Sequence, residues 1–166
     1  MYADHVGRMV RTEIQPILAG LGFSLVDCTI ARLKGATRVA VTVHRPTGVG
    51  VDECEQISRV IFPRLQTLEG FEDVSLEVSS PGISRTLKRP EEYTIFQGRG
   101  VRILAGDQSE WIGGVIDGTR AETLVLRTKE GLREFAFSSI RKGRLDHTWD
   151  PPHEERKEDK ENKNAV

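Results

Sequence analysis

No apolar run in the chain approaches the roughly 18 residues that a membrane-spanning helix needs. The N-terminus lacks a basic segment followed by an apolar stretch and small residues, so no secretion signal and a cytoplasmic location are expected. Only two cysteines occur, Cys28 and Cys54, and both fall on apolar faces. Buried free thiols in a reducing compartment follow. The four histidines, His5, His44, His147 and His153, are scattered singly. With so few cysteines they supply no closely spaced ligand set, so no metal is expected.

Catalytic and nucleotide-binding signatures are scarce too. Neither Gly-x-x-x-x-Gly-Lys-Ser/Thr nor Gly-x-Gly-x-x-Gly is present, and no cofactor or small-molecule substrate is expected. Ser79 and Ser80 sit outside any Gly-x-Ser-x-Gly elbow and read better as turn residues whose hydroxyls satisfy the backbone. Cys54 falls in the first turn of a helix, where a thiol can be acidified, yet its place on an apolar stripe favours packing. No catalytic residue is therefore assigned, and a thiol or serine enzyme stands as the weaker alternative. Aromatic residues make up 6% of the chain. Of these, Trp111 and Trp149 read as packing residues rather than platforms for bases.

What is present is unevenly distributed. The net charge of -1 conceals a net of -2 over residues 1–80, +3 over 81–149 and -2 over 150–166. An excess of three charges fits a solvated surface as well as a nucleic-acid partner. Over residues 2–21, Val6, Val10, Ile14, Ile17, Leu18 and Leu21 form one helical stripe. Pro16 lies inside it and is expected to kink or split the helix near Glu13. Residues 23–33 and 38–44 read as a hairpin around Lys34-Gly35-Ala36. A second helix is expected to be capped by Asp52, with Glu55 closing a capping box and Pro63 ending its regular part. Leu76 and Val78 alternate with Glu77 as a strand, and Ser79, Ser80, Pro81 and Gly82 form a joint. A type II turn with positive φ at Gly82 is expected there.

Two amphipathic helices over a three-stranded sheet make an N-terminal α/β domain, 1–84, close in topology to KH-like modules. The Gly-x-x-Gly clamp of those modules is missing, since no two of the 16 glycines stand three apart. Pro90-Glu91-Glu92 starts a short helix. Five short strands then follow at 101–104, 110–117, 123–128, 132–137 and 140–146, with a turn expected at Asp117-Gly118. They predict a small β-barrel domain over 85–149, bent at Gly113-Gly114. The fold class is α+β. From 150 to 166 the chain is charged, poor in apolar residues and expected to be disordered.

Leu76-Glu77-Val78-Ser79-Ser80-Pro81-Gly82, followed by Arg85, Lys88, Arg89 and Pro90, resembles the signature of the bacterial ribosome maturation factor RimP family. Asp52 to Arg59, Phe96 to Val101 and Ile140 to Leu145 extend the resemblance over about residues 5–146. Ser84 and Thr86 depart from it, standing where the family usually has an acid and a proline. The resemblance implies an SH3- or Sm-like barrel and a non-enzymatic role in maturing the small ribosomal subunit. It also implies contact with ribosomal protein twelve of that subunit and with its rRNA. A monomer without membrane contact is expected. Two cationic clusters are the candidate contact residues. Arg85, Lys88, Arg89, Arg99 and Arg102 lie along the joint and barrel entrance, and Arg141, Lys142 and Arg144 lie on the last strand. Such groups grip phosphates without reading sequence. The alternative is a peptide-binding module that makes no direct RNA contact.

Overall fold

The structure, a computed structural model, describes residues 2–152, with side chains from His5 onward. It divides into two compact units. One takes the chain up to Arg85 together with Thr94–Phe96, and the other takes Thr86–Tyr93 and the chain from Gln97.

The first unit contains α1 (Tyr2–Gly20), β1 (Ser24–Leu33), β2 (Ala36–His44), α2 (Val51–Gln66) and β3 (Val74–Ser79). Its sheet has the order β1-β2-β3. β1 runs antiparallel to β2, and β3 runs parallel to it. Every fourth residue of α1, Val6, Val10, Ile14 and Leu18, is buried, as are Ile57, Ile61 and Leu65 of α2. These stripes meet Val39, Val41 and Val43, which share one face of β2 because side chains alternate along a strand. The register of β1 shifts between Leu25 and Asp27. That irregularity lets Leu25 and Val26 both be buried while Asp27 stays half-buried.

Several local expectations are corrected. α1 runs as one helix through Pro16, which is exposed; the tertiary contacts of its buried stripe outweigh one lost hydrogen bond. α2 likewise continues past Pro63 to Gln66. The helix cap lies two residues earlier than Asp52. Gly50 is the N-cap, and its N–H donates to the Glu53 carboxylate at 2.9 Å. Glu55 instead pairs with Arg59 one turn on. The hairpin turns at Lys34 and Gly35, with φ of 51° and 87°, the left-handed pair that a two-residue turn matched to strand twist requires.

Gly82 does not adopt positive φ. The tight turn comes after it, closed by the Arg85 N–H donating to the Gly82 carbonyl at 3.1 Å.

In the second unit the strands are β4 (Gly100–Ala105), β5 (Ile112–Arg120), β6 (Thr123–Thr128), β7 (Gly131–Ala136) and β8 (Ile140–Leu145). α3 (Pro90–Ile95) precedes them. The sheet order is β7-β6-β5-β4-β8, and every pairing is antiparallel. Val101, Ile103, Ile116, Leu124, Leu126 and Leu145 are buried in it. Asp117 and Gly118 are not a turn. They lie within β5, where the register slips between Ile116 and Gly118, and the chain reverses at Ala121, φ 48°.

The glycines on this sheet serve close approach. A Cβ on Gly113 would lie 2.1 Å from the Trp149 indole nitrogen, and one on Gly114 would lie 2.7 Å from the Arg127 carbonyl oxygen. Asp150, at the start of the charged segment, donates its backbone N–H to the His147 carbonyl at 3.1 Å and accepts from the Gly100 N–H at 2.6 Å. The expected disorder of the tail otherwise concerns residues 153–166, which lie outside the described residues.

Gly143 on β8 faces Tyr93, and a Cβ there would stand 1.8 Å from the phenolic oxygen. Gly143→Ala is therefore expected to lower stability by about 1–3 kcal/mol in urea unfolding. Tyr93→Phe in the same chain should recover part of that loss, since it removes the nearest clashing atom.

Candidate functional site

The eight candidate cations do not stay in the two groups that their sequence positions define. Thr86 bridges to Arg144, and the Leu87 N–H donates to the Gly143 carbonyl at 2.8 Å, so the segment before α3 lies along β8. Lys88 and Arg89 thereby come beside Arg141 and Lys142. These four exposed side chains border one open cleft of about 290 Å³ within the second unit. The cleft also takes in Leu87, Pro90, Tyr93 and Phe137. The rings of Tyr93 and Phe137 lie 5.5 Å apart, tilted at 51°.

Glu92 sets the turn that carries Lys88 and Arg89. It is only 1% exposed, and its carboxylate accepts the backbone N–H groups of Lys88 and Arg89 at 2.6 and 3.0 Å. A buried carboxylate is tolerated where it is hydrogen-bonded in this way. Burial, reinforced by the Glu92 charge, pushes the Tyr93 hydroxyl up to about 12, so it remains a neutral donor at physiological pH. Arg141 donates to the Gln108 carbonyl, which steadies one wall of the cleft.

The other four cations are placed differently. Arg85 is drawn inward: its side chain is 18% exposed and its guanidinium stands 3.5 Å from Asp27. Asp27 also takes Arg11 at 3.3 Å and the Cys28 N–H at 2.9 Å. Arg99 pairs with Asp150 at 3.1 Å. Arg102 on β4 lies directly opposite Arg144 on β8, and its guanidinium carbon is 5.1 Å from the centre of the Trp111 ring. Exposure alone therefore separates Lys88, Arg89, Arg141 and Lys142 from Arg85, whose role is to hold Asp27.

At the joint, Ser79, Ser80 and Gly82 are exposed and Pro81 is half-buried. The expected backbone bonds of the two serine hydroxyls are not formed among the described residues. Cys28 is buried and Cys54 half-buried. Burial pushes both thiols up, away from the acidified thiol that a nucleophile needs. Among the described residues no group of three His, Cys, Asp or Glu could hold a metal ion. Nor is any helix among them long and apolar enough to cross a membrane.

Tyr93, Phe137 and Glu92 are parts of the cleft and its frame that sequence reasoning did not single out as site residues. Glu92 carried a signal, since an acid in the third position of a short helix can reach back to the preceding N–H groups.

Partial burial works to raise the Asp27 carboxyl pKa, but the Cys28 N–H, Arg85 and Arg11 together outweigh it and hold the group below its ordinary value. A lowered folded pKa contributes stability above the unfolded value, and that stability is lost as pH falls through the folded one. Asp27→Asn is accordingly expected to cost about 1 kcal/mol near neutral pH, with the gap closing in acid. Urea unfolding across that range reads it directly.

A family model described as the RimP N-terminal domain matches residues 13–84. The matched segment begins within α1, takes in the whole of the three-stranded sheet and α2, and ends two residues past Gly82. Residues 13–84 of the chain are thus similar to a RimP N-terminal domain.

Proposed function

We propose that this protein is a non-enzymatic maturation factor for the small ribosomal subunit that holds the immature subunit through the cationic cleft of its second unit. One observation carries the reading: Lys88, Arg89, Arg141 and Lys142, from two distant stretches of chain, converge on one open cleft in a chain similar over residues 13–84 to a RimP N-terminal domain. Four exposed cations around a concave surface raise the local concentration of a polyanion and contact phosphates without reading bases.

In this reading small-subunit rRNA meets the cleft. The acidic N-terminal unit, net -2 over residues 1–80, meets a basic ribosomal protein, of which protein twelve is the candidate. The first unit corresponds to a KH-like module without its RNA clamp, and the five-stranded unit to an SH3- or Sm-like barrel. The protein works as a cytoplasmic monomer and needs no cofactor.

A second reading is favoured by the apolar part of the cleft. Leu87, Pro90, Tyr93 and Phe137 line it alongside the cations, as a groove for an acidic peptide would require. Ribonuclease treatment separates the two, because a peptide complex survives it.

Reversing Lys88, Arg89, Arg141 and Lys142 to Glu is expected to abolish cosedimentation with free small subunits. Changing them to Gln should flatten the log–log salt dependence by a slope of roughly 3, about 0.7–0.9 for each of the four lost phosphate contacts. Arg85→Glu, by contrast, should act through stability. Unchanged cosedimentation of the four-site variant removes the cleft from the mechanism.

A further inference from the structure

A second pair of cations stands on the face of the five-stranded sheet opposite its buried residues, one position along β8 from Gly143 of the cleft. Val101 and Ile103 of β4 are buried, so Arg102 between them projects from the opposite face. Its register partners are Arg144 on β8 and Gly113 on β5, and directly paired residues project from the same face. Two arginines stand side by side where like charges destabilise a sheet. Their Nε atoms are both buried and make no hydrogen bond among the described residues. Such a guanidinium N–H without an acceptor is costly, and an anion laid across the pair would relieve both the repulsion and the missing bonds.

Asp146 does not supply that anion. Asp146 feels the Arg102 charge, but its carboxylate is engaged by the Thr148 hydroxyl at 2.6 Å and the Thr148 N–H at 3.1 Å.

Aromatic surface accompanies the charge. Trp111, immediately before β5, is 38% exposed, and Arg102 lies against its ring. Trp149 lies where the missing Gly113 side chain would project, and the Lys129 ammonium is 5.4 Å from the centre of its ring. An exposed indole beside cations matches the chemistry of a nucleotide, which brings a flat base and a phosphate together. A duplex keeps its base faces stacked inside and cannot use such a surface.

We propose that the outer face of β4, β5 and β8 binds an unpaired nucleotide of single-stranded RNA, with its base stacked on Trp111 and its phosphates held by Arg102 and Arg144. The choice of RNA over DNA rests on the family reading above; the stacking and phosphate contacts do not.

The test uses the full chain and an unstructured RNA of about a dozen nucleotides, the span of one such binding surface. Fluorescence anisotropy and tryptophan emission are read against a duplex and a DNA strand of the same sequence. The RNA strand is expected to bind and quench emission. Trp111→Ala should weaken binding about 5- to 100-fold, the range measured for one base stacked on an aromatic ring. Trp111→Phe should keep most of the affinity while losing part of the quench. Arg102→Gln and Arg144→Gln should each weaken binding and flatten its salt dependence. Circular dichroism melts confirm that each variant is folded.

Native affinity in Trp111→Ala overturns the proposal, as does equal binding of the duplex or tighter binding of the DNA strand. The cleft and this face fail separately. A cleft variant that no longer cosediments with subunits, yet still shows quenching by the oligonucleotide, leaves this inference standing.

Discussion

The placement of the working cations depends on one buried carboxylate. Glu92 has almost no contact with solvent, yet it receives the N–H groups of both Lys88 and Arg89. Hydrogen bonds to a charged acceptor are worth roughly 1.5–3 kcal/mol each, enough to fix a turn that has no regular secondary structure of its own. With the backbone held from below, the two long side chains remain exposed. Thr86 and Leu87, joined to β8, set how far along the sheet that turn falls. The cleft is thus built by backbone hydrogen bonding, and its cations are passengers on a rigid frame.

Much of this was legible in the sequence, and the part that was not has a physical explanation. The stripes of α1 and α2 and the alternation of β2 report burial directly, because the period of apolar residues is set by local geometry. The strands of the second unit fall within a few residues of their expected ranges for the same reason. The misplacements concern single residues whose behaviour depends on distant partners. Pro16 fails to split α1 because the stripe on either side is anchored in a core. Asp117-Gly118 has the composition of a turn, but β6 offers a partner strand that absorbs it as an irregularity. Gly82 has the freedom for positive φ and does not use it.

The candidate site shows the same division more sharply. Sequence position grouped Arg85 with Lys88 and Arg89, and Arg141 with Arg144. Pairing of strands redistributes them: four around a cleft, two facing each other across β4 and β8, and two neutralised by Asp27 and Asp150. Composition gives the number of charges in a segment. It cannot reveal which of them a carboxylate 51 positions away will claim, as Asp150 claims Arg99.

That last contact has a mechanical side. Asp150 takes both the Arg99 guanidinium and the Gly100 N–H, so the chain just beyond β8 is pinned where β4 begins. A pull on the segment beyond residue 152 therefore meets this clamp before it reaches the ladder between β4 and β8. Tension on the chain there is borne first at the margin of the sheet, ahead of the strands bearing Arg102 and Arg144.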